Sequence, residues 1–516
     1  METITPKLGG DDMTDIRPAT GSVSRQAAMG AGWIMAWRLA SRNIGLLSTL
    51  ILVRLLQPAD FGLVALATGF IGSVDALSAI GMQDALVRAP DLDRGMYDTG
   101  FSLGILRGTL TALLVAAIAW PLASFFGDQR LSAVMLALSV GTLVSGFENI
   151  GVIDFRREFA FRKEFDLQLW SRVVGAAATV ATAAVWHSYW ALIVGILVYR
   201  VVRLFLSYLM SPYRPRLTIR AWRRMFGFSL WTWAQTIVYQ ARERADGIVI
   251  GHLLGATQVG VFSIGLELGS LPTTEFVEPL GRALFSGFAS LNNASMKLEN
   301  MFLSAVGLGL VLILPAGVGI SMVADPMVRL SLGEHWLTAV PLVQIIAIGG
   351  TAAIFIQSCA NLLNAIGRPS DTLYVGVAST AVKCIVLVLL VPKLALLGSA
   401  FAFLAASAVD LVGLLWLTLP RIGVSLSELA VRVLRPIVAT IVMVVVLRHL
   451  GMAWTPGVGE DVWNLGEDAV IRSLTGAISY GAALVALWAA AGRPDGAERL
   501  AATMVKKMWG RVRHLT

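Results

Sequence analysis

The chain has 516 residues, 56% of them hydrophobic and only 14% charged, with 41 lysines and arginines against 33 acids and a formal net charge of +8. Soluble globular domains carry about 25% charged residues, so this composition, with a mean hydropathy of +0.73, argues against a soluble enzyme and for an all-α polytopic membrane protein. The basic excess is scattered through short loops, which positive-inside placement explains without nucleic acid as a partner. Cys359 and Cys384 lie in apolar stretches with no Cys/His spacing for zinc, so neither a metal nor a cofactor is expected.

In chain order, residues 1–28 are polar and lack the basic start and cleavage site of a signal peptide, which predicts a cytoplasmic N-terminal tail. Apolar stretches of about 20 residues, the length that crosses a bilayer, then follow at 31–54, 61–81, 99–122, 131–152, 168–186, 190–210 and 227–252. They continue at 258–280, 301–323, 338–364, 372–391, 395–418, 432–450 and 469–491. These predict about 14 transmembrane helices, with the eleventh and twelfth the hardest to separate. Alternate loops, counted with both termini inside, carry 26 lysines and arginines on one face and six on the other. That asymmetry predicts a multi-pass membrane protein with N- and C-termini in the cytoplasm. The last residues, 492–516, with Arg493, Arg499, Lys506, Lys507, Trp509, Arg511 and Arg513, are expected to form a basic cytoplasmic tail lying on the bilayer.

An internal repeat appears at an offset of 198 residues. Leu55-Leu56-Gln57-Pro58-Ala59-Asp60-Phe61-Gly62-Leu63 aligns with Leu253-Leu254-Gly255-Ala256-Thr257-Gln258-Val259-Gly260-Val261, and Trp33 falls on Trp231. In both copies a helix ends in Leu-Leu, a tight turn follows, and a glycine opens the next helix. Six helices per repeat give the halves one orientation, the pattern of transporters that rock two bundles about a central site. The expected division is an N-lobe at 29–225 (helices one to six), a C-lobe at 226–420 (helices seven to twelve), and helices thirteen and fourteen at 421–491.

Ionisable groups within a span cost about 2.5–3.5 kcal/mol on insertion scales and so face a partner or a wet cavity. The first span carries Arg38 and Arg42 on one face, with no acid of its own between them. The seventh carries Arg242, Glu243 and Asp246 on one flank, and Arg244 on nearly the opposite one. The eighth carries Glu267, Glu275 and Glu278; Asp75, Arg107, Lys383 and Asp410 are isolated charges in other spans. Two readings stand side by side. One makes these groups internal ion pairs, Arg242 with Asp246 and a first-span arginine with Asp75 or Glu267. The other has Arg38, Arg42, Arg242 and Arg244 line a central cavity for an anion, since guanidinium binds phosphate oxygens bidentately. Asp75, Glu243, Asp246, Glu267, Glu275 and Glu278 would then hold a coupling ion, H+ or Na+, or serve as internal partners. Between the fourth and fifth spans, Arg156, Arg157, Arg162 and Lys163 alternate with aromatic residues, a pattern expected at an anionic membrane surface.

The run from Leu56-Gln57-Pro58-Ala59-Asp60-Phe61-Gly62-Leu63-Val64-Ala65 to Gly81-Met82-Gln83-Asp84-Ala85-Leu86-Val87 resembles the opening of the polysaccharide and oligosaccharide flippases of the MOP superfamily, the Wzx and WzxC-like exporters. Arg156-Arg157-x-Phe159-x-Phe161, Leu332-Gly333-Glu334-His335-Trp336-Leu337-x-Ala339-Val340-Pro341 and Asn364-Ala365-Ile366-Gly367-Arg368-Pro369 extend the resemblance over residues 30 to about 420. It departs from the family at Ser286, where proline is usual, and at Val261-Phe262, where tyrosines are common. The resemblance implies two pseudo-symmetric six-helix lobes in a V around a central cavity, and alternating access. It also implies movement of undecaprenyl-diphosphate-linked oligosaccharide between leaflets, with membrane lipids and other polysaccharide assembly proteins as partners. A multidrug exporter of the same superfamily is the alternative, favoured by an acidic cavity. A membrane polymerase is the less favoured one, since the outer loop 451–468 offers Glu460, Asp461, Glu467 and Asp468 without a catalytic partner.

Overall fold

A computed structural model of the chain describes residues 20–78, 86, 93–158, 160–222, 230–277, 280–281, 284, 295–452 and 462–492. Within them, the side chains of 20–32, 34, 35, 38, 39, 230–233, 295–297 and 462–465 are not described. Glu278, the side chain of Arg38, Phe159 and the basic tail beyond 492 therefore lie outside the described part.

Every regular element among the described residues is helical. The first six long helices are α1 (Thr20–Leu55), α2 (Pro58–Ser78), α3 (Arg94–Phe126), α4 (Arg130–Gly146), α5 (Phe161–Trp186) and α6 (Trp190–Met210). Next come α7 (Leu230–Leu254), α8 (Ala256–Gly269), α9 (Ser295–Ser331) and α10 (Glu334–Ala365), the last passing through a 3-10 turn at Gly350–Ala352. The chain continues through α11 (Pro369–Leu394), α12 (Leu396–Ile422), α13 (Leu426–His449) and α14 (Val462–Ala490). The break between α11 and α12 falls at Ala395, whose φ of 49° is unusual for a residue with a Cβ. Ser425 and Glu428 cap α13 reciprocally, each side chain bonding the other's backbone N–H.

Ten of these helices are long and apolar enough to cross a bilayer, and an eleventh span results if α4 is taken with residues 150–157 across a 72° bend. The expected fourteen differ at identifiable places. α4 has 17 residues and α8 only 14, while α7 carries Arg242, Glu243, Arg244 and Asp246 within two turns. The expected span 131–152 runs across the polar pair Glu148-Asn149, where the helix ends at Gly146 and Asn149 turns the chain by accepting the Gly151 N–H at 2.9 Å.

The helices gather into two bundles. In the first, α3 lies against α4, α5 against both α1 and α6, and α4 against α2 and α6. Gly175 and Gly195 bring α5 and α6 into near backbone contact, since a Cβ at 195 would lie 1.7 Å from the Thr179 hydroxyl oxygen. In the second, α7 and α12 flank α11, while α10 packs between α9 and α12. α13 and α14 pair with each other and rest on α9. Large apolar side chains such as Leu110 and Leu113 on α3 and Trp416 on α12 are exposed, as lipid-facing residues are.

The bundles meet where the repeat places its two turns. α2 packs along α8, and a continuous core joins Leu63, Leu66 and Ala67 to Val259, Val261, Ile264 and Trp336. The contact is reciprocal: a Cβ on Gly62 would lie 1.7 Å from the Ala256 carbonyl oxygen, and one on Gly260 would lie 1.9 Å from that of Pro58. Each glycine faces the residue that opens the helix of the other repeat. The repeat in sequence is thus a pseudo-symmetric seam in space.

Residues 211–222 connect the bundles and run extended along α3. Asp98 accepts the Arg216 N–H and the Tyr213 hydroxyl, both at 2.7 Å; Ser102 accepts the Thr218 N–H at 2.8 Å and Thr99 the Ala221 N–H at 3.1 Å. Burial, and then the bond to Asp98, push the Tyr213 hydroxyl above its ordinary pKa. Arg214, Arg216 and Arg220 point outward. Asp98→Ala is expected to release this strap and raise the rate of tryptic cleavage after Arg216 or Arg220 roughly tenfold, the effect of losing charge-assisted hydrogen bonds. Timed proteolysis of the purified protein checks this.

Candidate functional site

Beside the seam, guanidinium groups cross from one bundle to the other on the two flanks of the α2–α8 pair. Arg42 on α1 ion-pairs with Glu275 in the π-helical turn Thr273–Val277 and reaches the Thr274 hydroxyl at 3.4 Å. One turn further along α1, the Arg172 guanidinium of α5 lies beside Gly45. Glu267, exposed on α8, sits in the field of Arg42 and Arg172. On the other flank α7 runs along α2, with the Gln240 amide donating to the Gly72 carbonyl at 3.3 Å and Arg244 to the Ser73 hydroxyl at 3.2 Å. The Arg244 guanidinium lies over Gly69 and Gly72, which leave room for it. Among the described residues it meets no carboxylate. Arg42 and Gln240 are related by the repeat offset, so each half sends one α1-type side chain across to the other bundle.

Arg242 and Asp246 do not pair with each other. Helical spacing turns both toward α11 and α12, where partners distant in sequence are nearer. Arg242 pairs with Asp410 and donates to the Ser379 hydroxyl at 3.1 Å, while Asp246 pairs with Lys383. Arg244, on the opposite flank, faces α2 as its spacing requires. Of the four arginines expected at an anion site, Arg42 and Arg244 each bridge to the other bundle, on different flanks of α2 and α8, Arg242 is drawn into the second bundle, and the side chain of Arg38 lies outside the described part. A cavity of about 360 Å³ there is lined by Tyr239, Glu243, Asp246, Thr273, Gln357 and Lys383.

Asp75 likewise does not pair with a first-span arginine. Arg107 of α3 takes it, at 3.6 Å, and also donates to the Ser78 hydroxyl at 3.0 Å. This pair borders a second cavity, of about 260 Å³, inside the first bundle, together with Glu148 and Arg203, which bond at 2.9 Å. Arg172, Arg203 and Glu148 were not singled out by sequence. Their only signal was position, a charge near a span end that reads equally well as a loop residue.

The basic segment is only partly a surface. Arg156 pairs with Glu164 at 2.7 Å, Arg157 donates to the Leu86 carbonyl at 2.9 Å, and Lys163 lies 5.8 Å from the Phe155 ring centroid. Phe155 is buried because Asp154–Arg157 forms a helical turn that carries it inward. Arg156, Arg162 and Lys163 remain exposed. Among the described residues no group of three or more His, Cys, Asp or Glu side chains is placed to hold a metal ion.

A family model described as polysaccharide biosynthesis protein matches residues 51–341, more than half of the chain. The chain is 22% identical to the lipopolysaccharide biosynthesis protein WzxC of Escherichia coli (strain K12), covering 69% of this chain and 71% of that protein. It is also 22% identical to the succinoglycan biosynthesis transport protein ExoT of Rhizobium meliloti (strain 1021), covering 78% and 85%. Its fold is similar to that of the lipid II flippase MurJ in an inward closed conformation, with a TM-score of 0.70, 14% identity, and 89% of this chain and 100% of that one covered. An inward-facing multidrug resistance MATE family transporter of the MOP superfamily is similar at a TM-score of 0.58 and 16% identity, over 74% of this chain and 94% of that one. The chain belongs to the polysaccharide biosynthesis protein family, as a multi-pass membrane protein whose fold is shared with the MurJ and MATE structures.

Proposed function

We propose that the protein is an ion-coupled flippase that carries undecaprenyl-diphosphate-linked oligosaccharide units from the inner to the outer leaflet of a bacterial inner membrane, for exopolysaccharide, capsule or O-antigen assembly. The observation that carries this reading is that Arg42, Arg172 and Arg244 arrive from both bundles around the α2–α8 seam; in this reading they line a cleft between the bundles. A bare diphosphate does not cross hydrocarbon at a useful rate. Guanidinium groups bind its oxygens bidentately and replace the lost water. In this reading the lipid tail stays in the bilayer, the diphosphate displaces Glu275 from Arg42, and rocking of the bundles turns the cleft to the other side. Glu267, close to Arg42 and Arg172, is the carboxylate whose proton or cation occupancy biases the two states. The seam then lies at the outer face. Both termini and the 211–222 strap face the cytoplasm, with Arg162, Arg214, Arg216 and Arg220 against anionic lipid heads. The polysaccharide-related names of the relatives support the substrate class.

A second reading, export of cationic drugs, is favoured by Glu267 and Glu275 in the same cleft. Proteoliposomes loaded with a fluorescent undecaprenyl-diphosphate oligosaccharide separate the two. Gradient-dependent transfer by wild type is expected, falling roughly tenfold or more in Arg42→Ala and in Arg244→Ala through loss of charge-assisted hydrogen bonds. Export of cationic dyes with no transfer of the lipid would replace the flippase reading. Full transfer in both variants would keep the function and leave the arginines as packing groups.

A further inference from the structure

Lys383 lies near the middle of α11 and is 6% exposed, and Asp246, facing it from α7, is 5% exposed. The ammonium pairs with one carboxylate oxygen of Asp246 and donates to the main-chain carbonyl of Arg242 at 2.9 Å. The other Asp246 oxygen, Oδ1, is buried without a hydrogen-bond partner, and Asp246 borders the 360 Å³ cavity of the second bundle. The two oxygens of the Asp246 carboxylate, one of them unfilled, and the Arg242 main-chain carbonyl lie beside a cavity and are the kind of oxygen ligand that hard cations take. A lysine ammonium is a compact single positive charge of the same kind, held on a flexible stem.

We propose that the Lys383 ammonium is a tethered cation that fills a monovalent-cation site between α7 and α11, so that the wild-type chain takes up no sodium or potassium there. The local charge balance supports this. Arg242 is already neutralised by Asp410, and the Lys383–Asp246 pair closes on itself. Glu243, which also borders the cavity, is exposed. A free cation entering beside Asp246 would meet the ammonium at short range in a low-dielectric setting, where like charges repel strongly. Deleting the ammonium leaves a buried carboxylate, vacated volume and the same carbonyl, which together form a site for a free cation.

The proposal sharpens the ion-coupling part of the flippase reading, and its test reads cation binding instead of transport, so the two fail separately. Purified full-length protein is unfolded thermally in sodium, potassium or choline chloride at equal ionic strength, and binding of radioactive sodium is measured alongside. Wild type is expected to show no saturable sodium binding, and no sodium-dependent gain in Tm, that Asp246→Asn removes; sodium held at Glu267 would be unaffected by that change. Lys383→Ala should be less stable in choline, regain stability saturably in sodium or potassium, and bind one sodium per chain more than wild type; Lys383→Ala/Asp246→Asn should lose that response. Lys383→Met, closer in volume, serves if the alanine variant does not fold. Saturable sodium binding by wild type that disappears in Asp246→Asn overturns the proposal, as does a folded Lys383→Ala or Lys383→Met with no cation response. If neither variant folds, the wild-type sodium measurement decides alone.

Discussion

Gly62→Ala is expected to hold the two bundles apart at the seam while each bundle stays folded. A single methyl group there meets the Ala256 carbonyl oxygen at 1.7 Å, and the mirrored change at Gly260 meets that of Pro58 at 1.9 Å. Both obstacles are backbone atoms at the start of a helix, so neither can rotate away as a side chain would. Forcing an extra methyl into such a contact costs about 1–3 kcal/mol, enough to shift a balance between two bundle arrangements. The measurement is thiol labelling of Val259→Cys, a position 2% exposed at the seam, in a background with Cys359 and Cys384 replaced. Labelling is expected to speed up about tenfold in Gly62→Ala. Gly247→Ala is the control, because its added Cβ meets nothing within 4 Å. An unchanged labelling rate in Gly62→Ala would show that the seam accommodates the methyl without parting.

Asp410→Asn is expected to destabilise the second bundle strongly. Asp410 is 4% exposed and its carboxylate meets the Arg242 guanidinium directly. Its removal leaves the half-buried Arg242 guanidinium with the Ser379 hydroxyl, at 3.1 Å, as its remaining side-chain partner among the described residues. Breaking one partner of a buried pair costs about 3–5 kcal/mol, whereas replacing both with apolar residues of similar size is often close to neutral. Asp410→Asn should therefore lower the Tm markedly, and Arg242→Met/Asp410→Leu should recover most of the loss. Thermal unfolding of the purified proteins checks both. A double variant as unstable as the single one would mean that the pair holds α7 against α12 by more than charge compensation.

The seam and the buried charges differ in how far they could be read from sequence, and the reason is physical. Backbone contact between two helices admits only glycine, so Gly62 and Gly260 carry a signature that survives as a repeat when the surrounding residues have diverged. The charge pairs have no such signature. Asp410 is 168 residues from Arg242, and the carbonyl that Lys383 bonds is 141 residues away from it. Helical spacing separated Arg244 from Arg242 and Asp246 correctly, because that depends on 3.6 residues per turn alone. Choice of partner depends on which helices are neighbours, and spacing within one helix says nothing of that. Arg42 shows the same limit: its face was legible, but its partner is Glu275 and neither Asp75 nor Glu267. Asp98 was invisible for another reason. It holds the 211–222 strap through a backbone N–H and a tyrosine hydroxyl, and main-chain donors leave no trace in a side-chain pattern.

The glycine seam, as the joint about which the two bundles part, is best tested by pulsed electron paramagnetic resonance between nitroxide labels at Gln57 and Thr257. Both residues are exposed, one in each turn beside the seam. Two distance populations are expected, with the longer one growing when undecaprenyl-diphosphate oligosaccharide is added and dominating in Gly62→Ala. A single short distance that neither the lipid nor Gly62→Ala alters would contradict a moving seam.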